Sequence, residues 1–174
     1  MVQTDYQSPD PGIGGSLEIV RIFHARSEIV WKAWSERENL MRWWSPQGST
    51  CQEYMIDFRV GGKYLFCVRS PEGEDAWGTG TYIEIVKPER IVFSDSFADA
   101  AGSIVPAARY GIEGEYPLAL LVTVTLTQTG AEETRLRLQH DGFPSGEARD
   151  RTRPGWESFF DKLDELLPAL SCQP

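Results

Sequence analysis

No stretch of this sequence approaches the roughly 20 consecutive apolar residues that cross a bilayer. Its opening, MVQTDYQSPDPGIGGS, has neither the cationic start nor the apolar centre of a secretory signal. Neither membrane insertion nor signal-directed export is expected. Basic residues are in deficit, 17 Lys and Arg against 26 Asp and Glu, for a formal charge of −9. A phosphate-neutralising surface would have to form against that field, so nucleic acid is not an expected partner. Cysteine is scarce: Cys51, Cys67 and Cys172 are an odd count at unrelated spacings, without a CxxC, and read as reduced thiols of a cytoplasmic protein. The two histidines, His24 and His140, have no second ligand at metal-binding spacing, so no metal site is expected. There is no GxSxG nucleophile elbow and no GxxxxGK[ST] phosphate cradle, which leaves nucleophilic catalysis and nucleotide binding without a motif. No cofactor and no catalytic residue is assigned.

What is present is a core-former's composition. The 174 residues are 41% apolar and include 8 Phe, 6 Trp and 6 Tyr, and a chain of this length buries roughly 70% of its unfolded surface in a single domain. Residues 1–15, rich in Gly, Pro, Gln and Asp, are expected to form a flexible arm, with one domain over 16–174. A β-branched run from Leu17 to Phe23 predicts a strand. Ile29, Val30, Ala33 and Trp34 then share a helical face, and Ser35-x-x-Glu38 has the spacing of a capping box for a second short helix that stops before Pro46.

From there the period is two. Tyr54, Ile56 and Phe58 alternate with Glu53, Asp57 and Arg59. Gly61-Gly62 offers a hairpin turn, and Tyr64, Phe66 and Val68 return, in a register that sets Tyr54 opposite Val68, Ile56 opposite Phe66 and Cys67 opposite Met55. Trp77, Thr79, Thr81, Ile83 and Ile85 form the next inward parity, with Gly78 and Gly80 allowing curvature. Ile91 to Phe93, Leu120 to Leu126 and Leu136 to His140 supply further strands. Residues 97–117 have no sustained period and read as a long loop. Beyond Pro154, the stripe Trp156, Phe160, Leu163 and Leu167 marks an amphipathic helix, and Arg149, Arg151 and Arg153 read as a solvated loop before it. The order predicts an α+β domain: a curved antiparallel sheet of six or seven strands covered by the C-terminal helix, with two short helices after the first strand.

The segments Arg26-Ser-Glu-Ile-Val-Trp-Lys-Ala-Trp, Leu40-Met-Arg-Trp-Trp, Asp57-Phe-Arg-Val-Gly-Gly, Trp77-Gly-Thr-Gly-Thr-Tyr, Pro88-Glu-Arg-Ile-Val-Phe, Gln139-His-Asp-Gly-Phe-Pro and Gly155-Trp together resemble the SRPBCC or START-like superfamily. Within it they are most similar to single-domain proteins like the C-terminal domain of the heat-shock-protein-90 ATPase activator, over residues 17–167. The resemblance implies a helix-grip fold with a cavity between sheet and helix, where relatives hold apolar molecules. It implies no single chemistry, because relatives include carriers and cyclases.

The inward parities put Tyr54, Tyr64, Phe66, Trp77, Phe93 and His140 on the concave face, opposite Trp156, Phe159 and Phe160. With Trp44 from the short helices, and with Phe97 and Tyr110 on a loop expected to act as a lid, the candidate ligand-binding set is Trp44, Tyr64, Phe66, Trp77, Phe93, Phe97, Tyr110, His140, Trp156 and Phe160. Each ring could equally fill the core. His140 reads either as a structural histidine or as a ligand or base, and acid–base work would need it to meet Asp95. The leading functional expectation is non-enzymatic binding of a small apolar or aromatic molecule in that cavity. A cyclase, dehydratase or hydrolase using the same cavity is the second, and a chaperone-interacting module the third; a homodimer is left open.

Overall fold

The structure is a computed structural model and describes residues 14–172. β1 (Leu17–Phe23) leads into α1 (Ser27–Ser35) and α2 (Arg37–Trp43), followed by β2 (Thr50–Ile56), β3 (Lys63–Arg69), β4 (Asp75–Val86) and β5 (Arg90–Ala98). A single 3-10 turn, Ala107–Tyr110, interrupts the connection to β6 (Leu120–Gly130) and β7 (Glu133–Asp141), and α3 (Gly146–Ser171) closes the chain. The seven strands form one antiparallel sheet in the order β1-β7-β6-β5-β4-β3-β2. β1 and β2 are the two edges of the sheet, so the connection between them, which carries α1 and α2, crosses the sheet and shares its core with α3. This is the helix-grip α+β architecture expected from the sequence.

Most of the expected arm lies outside the described residues. Of the two positions that do not, Gly14 is buried, donates its N–H to Phe143 O at 3.1 Å and accepts at its own carbonyl from Arg149. Arg149 and Arg153 are not on a solvated loop. α3 begins two turns before Pro154, where the Ser145 hydroxyl accepts from Ala148 N at 3.1 Å as N-cap. Its first turns carry Arg149 to Gly14 O and Arg153 to Glu18 O, pinning the helix to the entry of β1. Proline favours the first helical position, yet Pro154 lies inside α3, because the serine upstream sets the start.

The Ser35-x-x-Glu38 box does not form either. The Ser35 hydroxyl turns back to Trp31 O, and Glu36 is the N-cap residue of α2, its carboxylate accepting from Asn39 Nδ2 at 2.8 Å.

The β2–β3 hairpin is offset by two from the expected register: Tyr54 faces Phe66, Ile56 faces Tyr64, and Glu53 faces Cys67 across a bulge. The cause is Gly61-Gly62. Instead of making a two-residue turn, these glycines bridge to β4, with Gly61 N–H donating to Tyr82 O and Tyr82 N–H to Gly62 O. The connection lengthens over Asp57 to Gly62, and a Cβ on Gly62 would lie 1.9 Å from the Asp57 carbonyl oxygen. An offset of two keeps every side chain on its expected face.

β4 does change face. Cys67 pairs with Trp77 and Phe66 with Gly78, so the inner residues of its first half are Gly78, Gly80 and Tyr82, and Trp77 points with Cys67 and Ala98 to the other side. The reason is steric. A Cβ at Gly78 would sit 2.4 Å from Phe66 Cζ, and one at Gly80 1.8 Å from Ser94 O and 2.6 Å from the Tyr64 hydroxyl. The rings of β3 occupy the space that β4 side chains would take. A bulge between Tyr82 and Glu84 then restores Ile85 to the core side, where it pairs with Ile91.

Candidate functional site

α3 changes character along its length while keeping one buried stripe. Its second half presents Leu163, Leu166, Leu167 and Leu170 to the core, and its first half presents Trp156, Phe159 and Phe160. Aliphatic chains fill the space over β1, β7 and β6, where Leu17, Val122, Val124, Leu136 and Leu138 are closed to solvent. Over β3 to β5 the partners are rings. Tyr54, Tyr64 and Phe66 form a stack with centroids 5.8 to 6.2 Å apart, and Trp44 meets Phe66, Trp156 and Phe159 near edge to face at 5.5 to 5.8 Å.

Stiff rings from β3, β5 and α3 leave a hollow between them. It measures about 250 Å³ near Phe66, Phe97, Tyr116, Leu120 and Phe143, beside a second lobe of about 170 Å³ near Trp44, Phe93 and Trp156. Phe66, Asp95, His140, Thr152 and Phe159 belong to both walls. Neither lobe reaches the roughly 300–1,000 Å³ of drug-sized sites, so the space suits a small planar molecule better than a long lipid chain. Larger grooves of about 680 and 640 Å³ lie on the surface, bordered by charged residues such as Asp75, Arg109, Glu113 and Arg151.

The polar groups of the hollow come from three elements. His140, near the end of β7, is buried, and its Nδ1 accepts from the indole Nε1 of Trp156 at 3.1 Å. A nitrogen accepting that bond cannot carry a proton, so the ring is the neutral tautomer with hydrogen on Nε2. Burial agrees, pushing the imidazole down to about 3. Nε2 has no hydrogen-bond partner among the described residues, and Asp95 Oδ2 is 3.5 Å away. Asp95 stands on the inner parity of β5 with Phe93 and Phe97, and desolvation pushes its carboxyl up to about 6. Its side chain keeps about a third of its accessibility (34%), while that of His140 keeps 4%. His140 and Asp95 therefore meet, which spacing alone left open. The Trp44 indole N–H is a further buried donor without a partner among the described residues.

The candidate residues divide. Trp44, Phe66, Phe93, Phe97, His140 and Trp156 line the hollow. Trp77 borders it at the strand end and also borders the outer groove, as its outward register requires. Tyr64 and Phe160 are core: the Tyr64 hydroxyl donates to Ser94 O at 2.8 Å, and Phe160 is closed between Phe23, Trp34 and Trp156. Phe97 belongs to β5 rather than to the following loop. Tyr110 lies outside both lobes, where its hydroxyl accepts from Trp77 N–H and donates to Ala98 O at 2.6 Å, bridging the end of the β4–β5 ladder. The loop residue that does reach the hollow is Tyr116. Tyr116 and Phe143 lie in irregular segments, where no period assigns a face, and Thr152 lies in the early turns of α3, which the sequence reads as loop.

A curved antiparallel sheet gripping a C-terminal helix, with a ring-walled hollow between them, defines a helix-grip protein of the START-like kind. Residues 24–168 match the family described as "Activator of Hsp90 ATPase homolog 1-like protein", and the chain belongs to that family. Among solved structures, a protein from Arthrobacter aurescens is 27% identical, with a TM-score of 0.72 over 92% of this chain and 89% of that one. A protein from Chromobacterium violaceum is 25% identical, with a TM-score of 0.72 over 87% and 96%. The AHSA1 protein from Silicibacter pomeroyi is 22% identical, with a TM-score of 0.73 over 89% and 99%, a likeness of fold. No curated protein matches the sequence. Among the described residues no helix is long and apolar enough to cross a membrane.

Proposed function

We propose that this protein binds a small, flat, mostly apolar molecule in the hollow between β3–β5 and the first half of α3. The observation that carries this reading is the ring-walled hollow itself: Phe66, lying over Gly78, forms one wall, and Trp44, Trp156 and Phe159 form the opposite one.

Titration with naphthalene, followed by tryptophan emission, tests the reading. Saturable quenching is expected. Trp156→Ala should weaken it more than Trp31→Ala, because Trp31 packs against Phe58 away from the hollow. Absence of saturable binding in a folded protein would overturn it.

An acid–base enzyme in the same hollow is a second reading, favoured by the Asp95 carboxyl, pushed up to about 6 beside apolar walls. In that reading Asp95 carries the proton. His140, neutral and held through Nδ1, orients the substrate. A chaperone contact draws on the family's description alone.

A further inference from the structure

The hollow is apolar around its walls and polar at one edge, and that edge has a defined donor–acceptor pattern. The Trp156 indole fixes the His140 tautomer, so Nε2 presents a hydrogen. That hydrogen has no protein acceptor within bonding geometry, in a residue 3% exposed. Asp95 Oδ2, 3.5 Å from Nε2, presents lone pairs, and no side-chain donor closes on this carboxylate among the described residues. A buried, unpaired donor and a part-exposed acceptor thus stand side by side, bordering the same space.

We propose that the ligand of this site is a hydroxylated planar ring, bound with its O–H between His140 and Asp95. The proposal rests on the binding reading above and names the ligand class for it. A hydroxyl fits because it is donor and acceptor at one atom: its oxygen accepts from Nε2–H while its hydrogen goes to Oδ2. An oxygen at ordinary hydrogen-bond length, about 2.8 Å from each, spans two atoms 3.5 Å apart. A carboxylate in the same place would satisfy His140 but repel Asp95. A neutral arylamine would donate to Asp95, but its lone pair, delocalised into the ring, accepts only weakly from Nε2–H. An unsubstituted ring would offer neither group a partner.

The probes are naphthalene, 2-naphthol, 2-naphthoate and 2-naphthylamine, which hold the ring constant, titrated into the full chain by tryptophan emission. We expect 2-naphthol to bind about tenfold or more tighter than naphthalene, as a hydrogen bond to a charged acceptor supports, and tighter than the amine or the carboxylate. Asp95→Leu removes the acceptor without breaking any protein hydrogen bond, and His140→Gln changes the donor. In Asp95→Leu the naphthol preference should fall to about onefold while naphthalene affinity holds or rises, with the melting temperature recorded alongside. Equal affinity for naphthol and naphthalene in the wild-type protein, or a preference that survives Asp95→Leu, would overturn the proposal and leave the apolar binding reading standing. Failure of all four probes would overturn the binding reading itself. Should Asp95→Leu fail to fold, His140→Gln decides: an unchanged naphthol preference there contradicts the bridge.

Discussion

The two halves of the sheet use the same helix in different ways. Over β1, β7 and β6, branched aliphatic chains meet Leu163, Leu166 and Leu167, and the space is filled. Over β3 to β5, rings meet rings at 5.5 to 5.8 Å near edge to face, and a hollow remains. Aliphatic side chains have enough rotamers to interdigitate to crystal-like density, whereas a ring is a rigid plate whose edges must be met by something of matching shape. On β4, Gly78 and Gly80 yield their space to the rings of Phe66 and Tyr64, and beyond Phe66 a gap remains. One half of the molecule therefore provides stability, and the other holds the hollow, into whose edge His140 reaches from the end of β7 to meet Asp95.

The sharpest way to break this contrast is a pair of truncations on one helix. Leu163→Ala, in the filled half, should cost about 2–5 kcal/mol in chemical denaturation. Phe159→Ala, on the wall of the hollow, should cost less, about 1–2 kcal/mol, because its ring is already part-exposed and no new sealed void appears. Equal losses would erase the distinction.

Gly78→Ala probes the hollow from below. Its Cβ would meet Phe66 Cζ at 2.4 Å and push the ring toward the empty space, so a cost of about 1–3 kcal/mol is expected together with loss of naphthalene binding. Unaltered binding would mean that the glycine serves curvature alone.

Acidification should act through the polar edge. The imidazole of His140 lies far below its ordinary value in the folded state, near 3, so its contribution to stability is present above pH 6.5 and is lost as pH falls toward 3. Asp95, raised to about 6, acts the other way: ionisation disfavours the folded state, and that penalty is relieved as pH falls from 6 toward 4. The histidine shift is the larger, so stability should decline on the acid side, less steeply in His140→Gln. Asp95→Leu should be slightly more stable at pH 8, by up to about 1 kcal/mol after allowance for the third of the side chain still reaching water. A destabilised Asp95→Leu at pH 8 would show that the carboxylate has a structural partner.

The fold was legible in the sequence because it is written in long periodic segments. The alternation through Leu120–Leu126 and Leu136–His140, and the Trp156–Leu167 stripe, specify faces whatever the exact register. The site was legible only in part. Alternation assigned β4 by its large apolar residues, Trp77 and Ile83, yet Gly78 and Gly80 point inward, because their faces are set by the bulk of Phe66 and Tyr64 on the neighbouring strand. No single-strand pattern contains that information. Tyr110 was placed in a lid for its position in an aperiodic loop, but its hydroxyl caps a strand ladder, a bond that depends on where the loop returns. The meeting of His140 with Asp95 depends on β7 and β5 flanking β6, where both pair with the same stretch: Val122 stands between His140 and Phe93.

The central claim, that the ring-walled half is a binding site and the aliphatic half is not, is tested most directly by side-chain NMR during a naphthalene titration. Saturable shifts are predicted at the Trp44 and Trp156 indole N–H and at the Phe66 and Phe159 rings, with the methyls of Leu136, Leu163 and Leu167 unmoved. Shifts spread evenly over both halves, or none at saturating naphthalene, would contradict it.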